Sequence, residues 1–178
     1  LAALRSGHID FAILVMRPGY KGAFLPQDKF SVTRLAGFQD IFIAGNDFSD
    51  LAGRSVTPGE LCGYPFICME PGTVTRQFLD DFLLQFHLAV SPDIELATTD
   101  LITPMAANNL GVGFVPRAFA RSALEEGSVF QIRLTEIVPE REICVISRTD
   151  TPLSLAGNAF LRLFSDFAEP SCIKKDCR

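Results

Sequence analysis

The chain has 178 residues, of which 48% are hydrophobic and 21% charged, and its net charge is −5 at pH 7. This composition predicts a folded chain, either one domain or two small lobes, and argues against disorder. The acidic balance argues against nucleic-acid binding by this chain alone. No apolar run has the length of a membrane span and no export signal opens the sequence. We therefore expect a cytoplasmic protein that does not associate with membranes.

The five cysteines are an odd number and no pair has the spacing of a metal site. The two histidines, His8 and His87, are far apart in the sequence. A reduced intracellular protein without a structural metal or a cofactor fits this pattern best.

Taken in chain order, the sequence alternates between helix and strand patterns. The residues before Gly7 resemble the last turn of a helix, and strand patterns follow at 9–15, 30–35 and 38–44. A loop is expected between the first two of these strands. Thr57-Pro58-Gly59-Glu60 is a capping box, which predicts a short helix beginning at Pro58.

The second half of the chain continues the alternation. A helix following the strand pattern at 94–97 has two candidate caps, Asp100 and Thr103. Gly127 is a stop signal for the next helix, and a final apolar-striped helix begins near Pro152. The apolar run at 143–146 is typical of a buried parallel strand, and the whole pattern predicts a mostly parallel α/β architecture.

The most informative stretch is residues 72–78, which follows a short apolar run at 65–69 and opens a helix. The first N–H groups of such a helix, together with the Thr73 and Thr75 hydroxyls, suit a carboxylate or another oxyanion. The simpler alternative is that one of these threonines only caps the helix. Arg76 has a similar alternative, because Asp80 lies four residues on and offers a surface ion pair.

Several stretches stand out when they are taken together in chain order: residues 4–13, 65–67, 72–78, 98–102, Leu110-Gly111-Val112-Gly113-Phe114-Val115-Pro116, 141–148 and the final helix. This ordered set resembles the effector-binding domain of LysR-type transcriptional regulators. The resemblance covers residues 1–168 and implies a two-lobed α/β fold like that of type 2 periplasmic binding proteins. It also implies a small, often anionic effector in the cleft between the lobes, and a protein that forms homodimers or tetramers.

On this resemblance, lobe one is expected to comprise residues 1–61 plus 143–170, lobe two residues 62–142, and a loose tail residues 171–178. The winged helix-turn-helix, through which DNA would be bound, and the first strand and helix of lobe one lie outside this sequence. A fragment of a longer regulator is the preferred interpretation. A lobe one that is completed by a partner is the alternative.

The carboxyl ends of parallel strands are where ligands bind in open α/β sheets, so the candidate effector site is placed there. Its candidate residues come from several such ends: Thr73, Thr75, Arg76, Thr98, Thr99, Asp100, Phe114 as an apolar wall, and Met16 with Arg17 from lobe one. We expect no catalysis, because the sequence shows no pairing of a nucleophile with a base.

Two other interpretations remain. The segment Thr75-Arg76-Gln77-Phe78 resembles the Thr-Arg-Phe segment of prephenate dehydratases, but the inserted Gln77 breaks the match. A solute-binding protein of a transporter would share the two-lobed fold. The segment that precedes Leu1 in the full gene would distinguish a regulator from an exported binding protein.

Overall fold

The computed structural model describes residues 2–17 and 29–167, and the predicted loop after the first strand and the predicted tail lie outside these ranges. The strands are β1 Phe11–Met16, β2 Phe30–Phe38, β3 Asp40–Gly45, β4 Ser55–Val56, β5 Phe66–Met69, β6 Ile94–Leu96, β7 Val112–Pro116, β8 Val129–Leu134 and β9 Arg141–Arg148. The α-helices are α1 Ala2–Arg5, α2 Pro58–Leu61, α3 Val74–Leu84, α4 Ile102–Ala107, α5 Arg117–Glu126 and α6 Leu155–Phe167. Two 3-10 helices span Asn46–Leu51 and Thr99–Leu101.

The chain divides into two compact units, and the division differs from the expected one. Unit 1 comprises residues 1–38 and 140–178, and unit 2 comprises residues 39–139. The first boundary therefore lies at residue 38 instead of 61. The reason is β3, which pairs with β7 on one side and with β8 on the other, and so belongs to the middle of the unit 2 sheet.

Unit 2 is built on a six-stranded sheet in the order β4-β8-β3-β7-β5-β6. β5 runs parallel to both β6 and β7, whereas β3 runs antiparallel to its two neighbours. Both faces of this sheet are covered. Phe42 and Phe66 pack with α3 residues on one face, while Ile43 and Ile67 pack with α4 residues on the other. Burial on both faces explains why these strands read as continuous apolar runs.

Unit 1 contains a three-stranded antiparallel sheet in the order β1-β9-β2. The prediction that residues 143–146 form a parallel strand is wrong, since β9 is antiparallel to both neighbours. The small core of unit 1 contains Leu4, Phe30 and Ile146. The side chains of Ile13 and Leu14 are both exposed, so β1 shows apolar surface on each of its faces.

The predicted helix ends are mostly confirmed. Thr57 and Glu60 form the reciprocal capping box of α2, and Gly127 ends α5 with a φ of 72°. The two candidate caps of α4 are wrong, because a 3-10 helix precedes α4 and no side chain caps it. Thr103 is instead buried, where its hydroxyl donates to the carbonyl of Phe119 at 3.3 Å and ties α4 to α5.

None of the described helices is both long and apolar enough to cross a membrane.

Candidate functional site

The candidate site is built where β5 and β6 end side by side in unit 2. The two strands are parallel, with Met69 opposite Leu96 in the register. The backbone N–H of Glu70 donates to the carbonyl of Leu96 at 2.9 Å, so the pairing continues into the first turn. The turn before α3 and the turn before the 3-10 helix Thr99–Leu101 therefore leave the same edge of the sheet. This is the edge at which open α/β sheets bind ligands.

At the first turn, the helix-cap interpretation holds for Thr73. Its hydroxyl donates to the carbonyl of Glu70 at 2.9 Å and accepts from the backbone N–H of Arg76 at 3.3 Å. Thr73 thus begins α3 and has both of its hydrogen-bonding roles filled by the protein. Thr75 lies within the first turn of the helix and is partly buried. The N–H groups of that turn point out of the positive end of the helix.

At the second turn, Thr99 is held against the end of β5. Its hydroxyl donates to the Sδ atom of Met69, the last residue of β5, at 3.4 Å. Thr98 precedes the 3-10 helix and is exposed, as is Asp100 within it. The two turns that carry the predicted threonines therefore leave one edge of the sheet, and whether the threonines share a ligand stays a prediction.

Arg76 belongs to a local ion-pair network. Only 9% of the residue is exposed. Its Nε donates to Asp80 at 2.9 Å, and its Nη1 donates to Glu95 at 2.9 Å and to the carbonyl of Met69 at 3.2 Å. Two carboxylates thus form ion pairs with one guanidinium. Burial acts to lower the pKa of Arg76, but the hydrogen bonds of Glu95 and Asp80 more than offset it and the pKa is raised.

This network gives Arg76 a positioning function. The guanidinium joins the first turn of α3 to the last residue of β5 and to the middle residue of β6. The alternative weighed from sequence, a pair with Asp80, is confirmed, and the structure adds Glu95 and the Met69 carbonyl. With its charge already matched by two carboxylates, Arg76 is a weak attractor for an anion.

Phe114 lies in the core, contrary to its predicted place in an apolar wall. The residue is 1% exposed, and its ring packs against those of Phe42 and Phe78 at centroid distances of 4.8 and 6.2 Å. The buried position of Phe114 does not support the predicted contact with a bound molecule. Pro116, at the end of the same strand, is partly buried and leads directly into α5.

The two candidates from lobe one are in unit 1. Met16 is the last residue of β1, where it faces Glu142 of β9 and is partly buried. Arg17 follows it and is exposed. Their contribution to an effector site stays a prediction.

No group of three or more His, Cys, Asp or Glu side chains within residues 2–17 and 29–167 is placed to hold a metal ion. Cys68, in the middle of β5, is a core thiol, and burial raises its pKa to about 12.

Sequence reasoning missed two members of this site, Met69 and Glu95. Met69 contacts Thr99 and accepts from Arg76, and Glu95 pairs with Arg76. Met69 is the last residue of a buried strand and Glu95 is a polar residue inside a short one. In a sequence, the signal for such residues is their position in a strand that directly precedes a candidate turn.

Comparison with known proteins agrees with this architecture. Residues 1–169 match the family described as LysR substrate binding domain. A curated relative, the uncharacterized HTH-type transcriptional regulator YfiE of Escherichia coli K12, is 32% identical over 94 residues, which is 53% of this chain and 30% of that protein. This chain therefore spans less than a third of that relative.

Two solved structures show the same fold. The Synechocystis PCC6803 CcmR regulatory domain in complex with 2-PG has a TM-score of 0.75 and 19% identity, covering 95% of this chain and 78% of that one. The effector binding domain of QuiR in complex with shikimate has a TM-score of 0.70 and 14% identity, covering 94% and 75%. Both similarities support the two-lobed fold expected from the sequence. With the family match over nearly its whole length, the chain belongs to the LysR substrate-binding domain family.

Proposed function

We propose that this chain is the ligand-sensing domain of a transcriptional regulator and that it binds a small carboxylate or oxyanion. The observation that carries the proposal is that two turns of a ligand-binding type leave one sheet edge, where the Thr99 hydroxyl contacts Met69 at the end of β5. The CcmR and QuiR domains, with the same fold, are described in complex with 2-PG and with shikimate. In the full-length protein, the bound effector would modulate DNA binding by a winged helix-turn-helix.

The donors we propose for the anion are Thr75 and Thr99, followed by Thr98. A helix N-terminus favours negative charge, and threonine hydroxyls donate without introducing a fixed charge of their own. Thr73 is a weaker candidate because its hydroxyl both donates and accepts within the helix cap, whereas the Thr99 hydroxyl donates to a thioether sulfur, which is a weak acceptor. Asp100 is an acceptor, so it would bind a hydroxyl or an ammonium group elsewhere on the same molecule.

The test is calorimetric titration of the full-length protein with a panel of small carboxylates and inorganic oxyanions. For the acid that binds best, Thr75→Val and Thr99→Val should each weaken binding by roughly ten-fold, the loss of one hydrogen bond to a charged group. Thr33→Val is the matched control, since Thr33 is exposed on β2 of unit 1. If both site variants bind as tightly as the parent protein, the threonines serve only the helix ends and the site lies elsewhere.

Regulation is tested separately, by measuring the affinity of the full-length protein for a promoter fragment selected with it. The effector should change this affinity, and the change should need a higher effector concentration in Thr99→Val.

We further propose a homodimer or tetramer, which sedimentation of the full-length protein at micromolar concentration would check. A monomer at that concentration would contradict it.

A further inference from the structure

Unit 1 contains a pocket of its own, with a volume of about 390 Å³, which we call the basic pocket. It is lined by Arg5, Lys29, Phe30, Arg148 and Asp150. Among the described residues that line it, three cationic side chains and one carboxylate give an excess of two positive charges, in a chain whose net charge is −5. A concave site with this volume is large enough to hold a small organic molecule.

The backbone fixes the positions of these residues. Arg5 is the last residue of α1, and Phe30 begins β2 directly opposite Arg148, the last residue of β9. The backbone N–H of Thr149 donates to the carbonyl of Lys29 at 3.1 Å, so the pairing extends past the strand ends. Three elements that are distant in sequence therefore supply the three cations.

Two of the cations have no charged partner in the part of the chain that the structure describes. The guanidinium carbon of Arg5 lies 5.9 Å from the centroid of the Phe30 ring, a cation–π contact. A guanidinium that stacks on an aromatic face keeps its N–H donors, which lie in its own plane, for other partners. Among residues 2–17 and 29–167, no carboxylate forms an ion pair with Arg5 or Lys29.

The third cation already displays the geometry of oxyanion recognition. Arg148 holds Asp150 in a bidentate pair, with Nε at 2.8 Å and Nη2 at 2.9 Å from the two carboxylate oxygens. The side chain of Asp150 is 65% exposed, whereas that of Arg148 is 27% exposed. The carboxylate is thus a solvent-accessible occupant of a guanidinium fork, which a phosphate or carboxylate would also fit.

The basic pocket is separate from the candidate effector residues of unit 1. Phe11 of β1 faces Ser147 of β9, next to the pocket, while Met16 faces Glu142 at the other end. Five residue steps along a strand cover roughly 16 Å. The pocket and Met16 therefore lie at opposite ends of the three-stranded sheet.

We propose that the basic pocket binds a small molecule bearing a phosphate-type dianion. The excess of two positive charges among the described lining residues matches a dianion better than a monocarboxylate, and the aromatic face of Phe30 packs against Arg5. The site would be a second ligand site of the domain, independent of the one proposed in unit 2. Because its cations are partly exposed, its affinity should fall steeply as salt is added.

The experiment is calorimetric titration of the full-length protein with inorganic phosphate and with glycerol 3-phosphate, at pH 8 and low ionic strength. Arg5→Gln and Lys29→Gln should each weaken binding by roughly five-fold, as expected for the loss of one partly exposed charge. Asp150→Asn should tighten binding, because it removes the competing carboxylate and keeps the backbone. Arg121→Gln, an exposed arginine of α5 in unit 2, is the control and should leave binding unchanged.

The two proposed sites are distinguished by a double variant, Thr75→Val with Thr99→Val, which should keep the binding of both phosphate probes. If the parent protein binds neither probe at millimolar concentration, the proposal is overturned. It is equally overturned if the threonine double variant loses phosphate affinity while Arg5→Gln and Lys29→Gln keep it. A weaker affinity in Asp150→Asn would also overturn it. Asp150→Asn also serves as a folding control, because a variant in which unit 1 is unfolded could not bind phosphate more tightly than the parent protein.

Discussion

Replacing Arg76 with methionine separates a positioning function from a direct contact with the effector. Methionine keeps much of the apolar stem of arginine and removes only the guanidinium. The carbonyl of Met69 would lose a charged donor at 3.2 Å, and Asp80 and Glu95 would each lose a partner at 2.9 Å. The cost of the substitution can be apportioned among these three bonds.

The carboxylates contribute little, because the side chains of Asp80 and Glu95 are 48% and 41% exposed and return to water. Exposed pairs of this kind are worth about 0.5 kcal/mol each. A hydrogen bond from a charged donor to a buried carbonyl is worth about 1.5 kcal/mol. The free energy of unfolding should therefore fall by about 2 to 3 kcal/mol, below the range for breaking a fully buried pair.

Urea denaturation of the full-length protein, followed by circular dichroism, measures this change. Asp80→Asn is the matched control, since it removes only one exposed partner and should cost less than about 1 kcal/mol. Effector affinity should fall only modestly in Arg76→Met, because the threonine donors stay in place. Unchanged stability combined with a hundred-fold loss of affinity would refute this reasoning and make Arg76 a ligand contact.

Three further outcomes are expected. Gly113→Ala should destabilise the protein by about 1 to 3 kcal/mol in thermal or urea unfolding, because the added carbon would lie 2.6 Å from a side-chain carbon of α4. Gly59→Ala, where the nearest atom is at 4.0 Å, should be neutral or stabilising, and equal effects would contradict the packing argument. Cys68, whose pKa burial raises to about 12, should react with a thiol reagent at pH 8 only on unfolding, so rapid labelling of the folded protein would count against it. The hydrogen bond from Arg148 lowers the pKa of Asp150 to about 2, so the stabilisation by this carboxylate is complete above pH about 4 and is lost as the pH falls towards 2. A carboxyl NMR titration should show that midpoint, and Arg148→Gln should move it back towards about 4, whereas no movement would refute the pairing.

Local signals in the sequence predicted the ends of helices well. Thr57 with Glu60 and Gly127 act through atoms that are close in sequence, so their patterns are sufficient to locate them. The signals at Asp100 and Thr103 misled because the chain forms a 3-10 turn before α4, and the Thr103 hydroxyl bonds to α5. A capping residue is ambiguous whenever a tertiary acceptor competes for its side chain.

Strand direction and strand membership were not predictable in the same way. The apolar run at 143–146 fits a buried strand of either orientation, and its antiparallel partners β1 and β2 are more than a hundred residues away. Phe114 was placed in a wall because a strand buried on both faces carries no alternation to show which way a side chain points. The first lobe boundary was misplaced for a similar reason. The pattern at residues 38–44 predicts a strand, but it does not show which of the two sheets the strand joins.

One feature of the candidate site follows from the sequence pattern, and the reason is geometric. Parallel neighbouring strands end at one edge, so a threonine turn after β5 and another after β6 leave the same edge once those strands pair. What the sequence could not supply is how the turns are held together. Arg76 with Glu95 and Thr99 with Met69 are contacts across 19 and 30 residues, and no periodicity encodes them. If these contacts set the spacing of the donors, then changes at Met69 or Glu95 should alter effector affinity although neither residue need touch the effector. Affinity that tolerates Glu95→Gln and Met69→Leu together would show that the strand register alone positions the threonines.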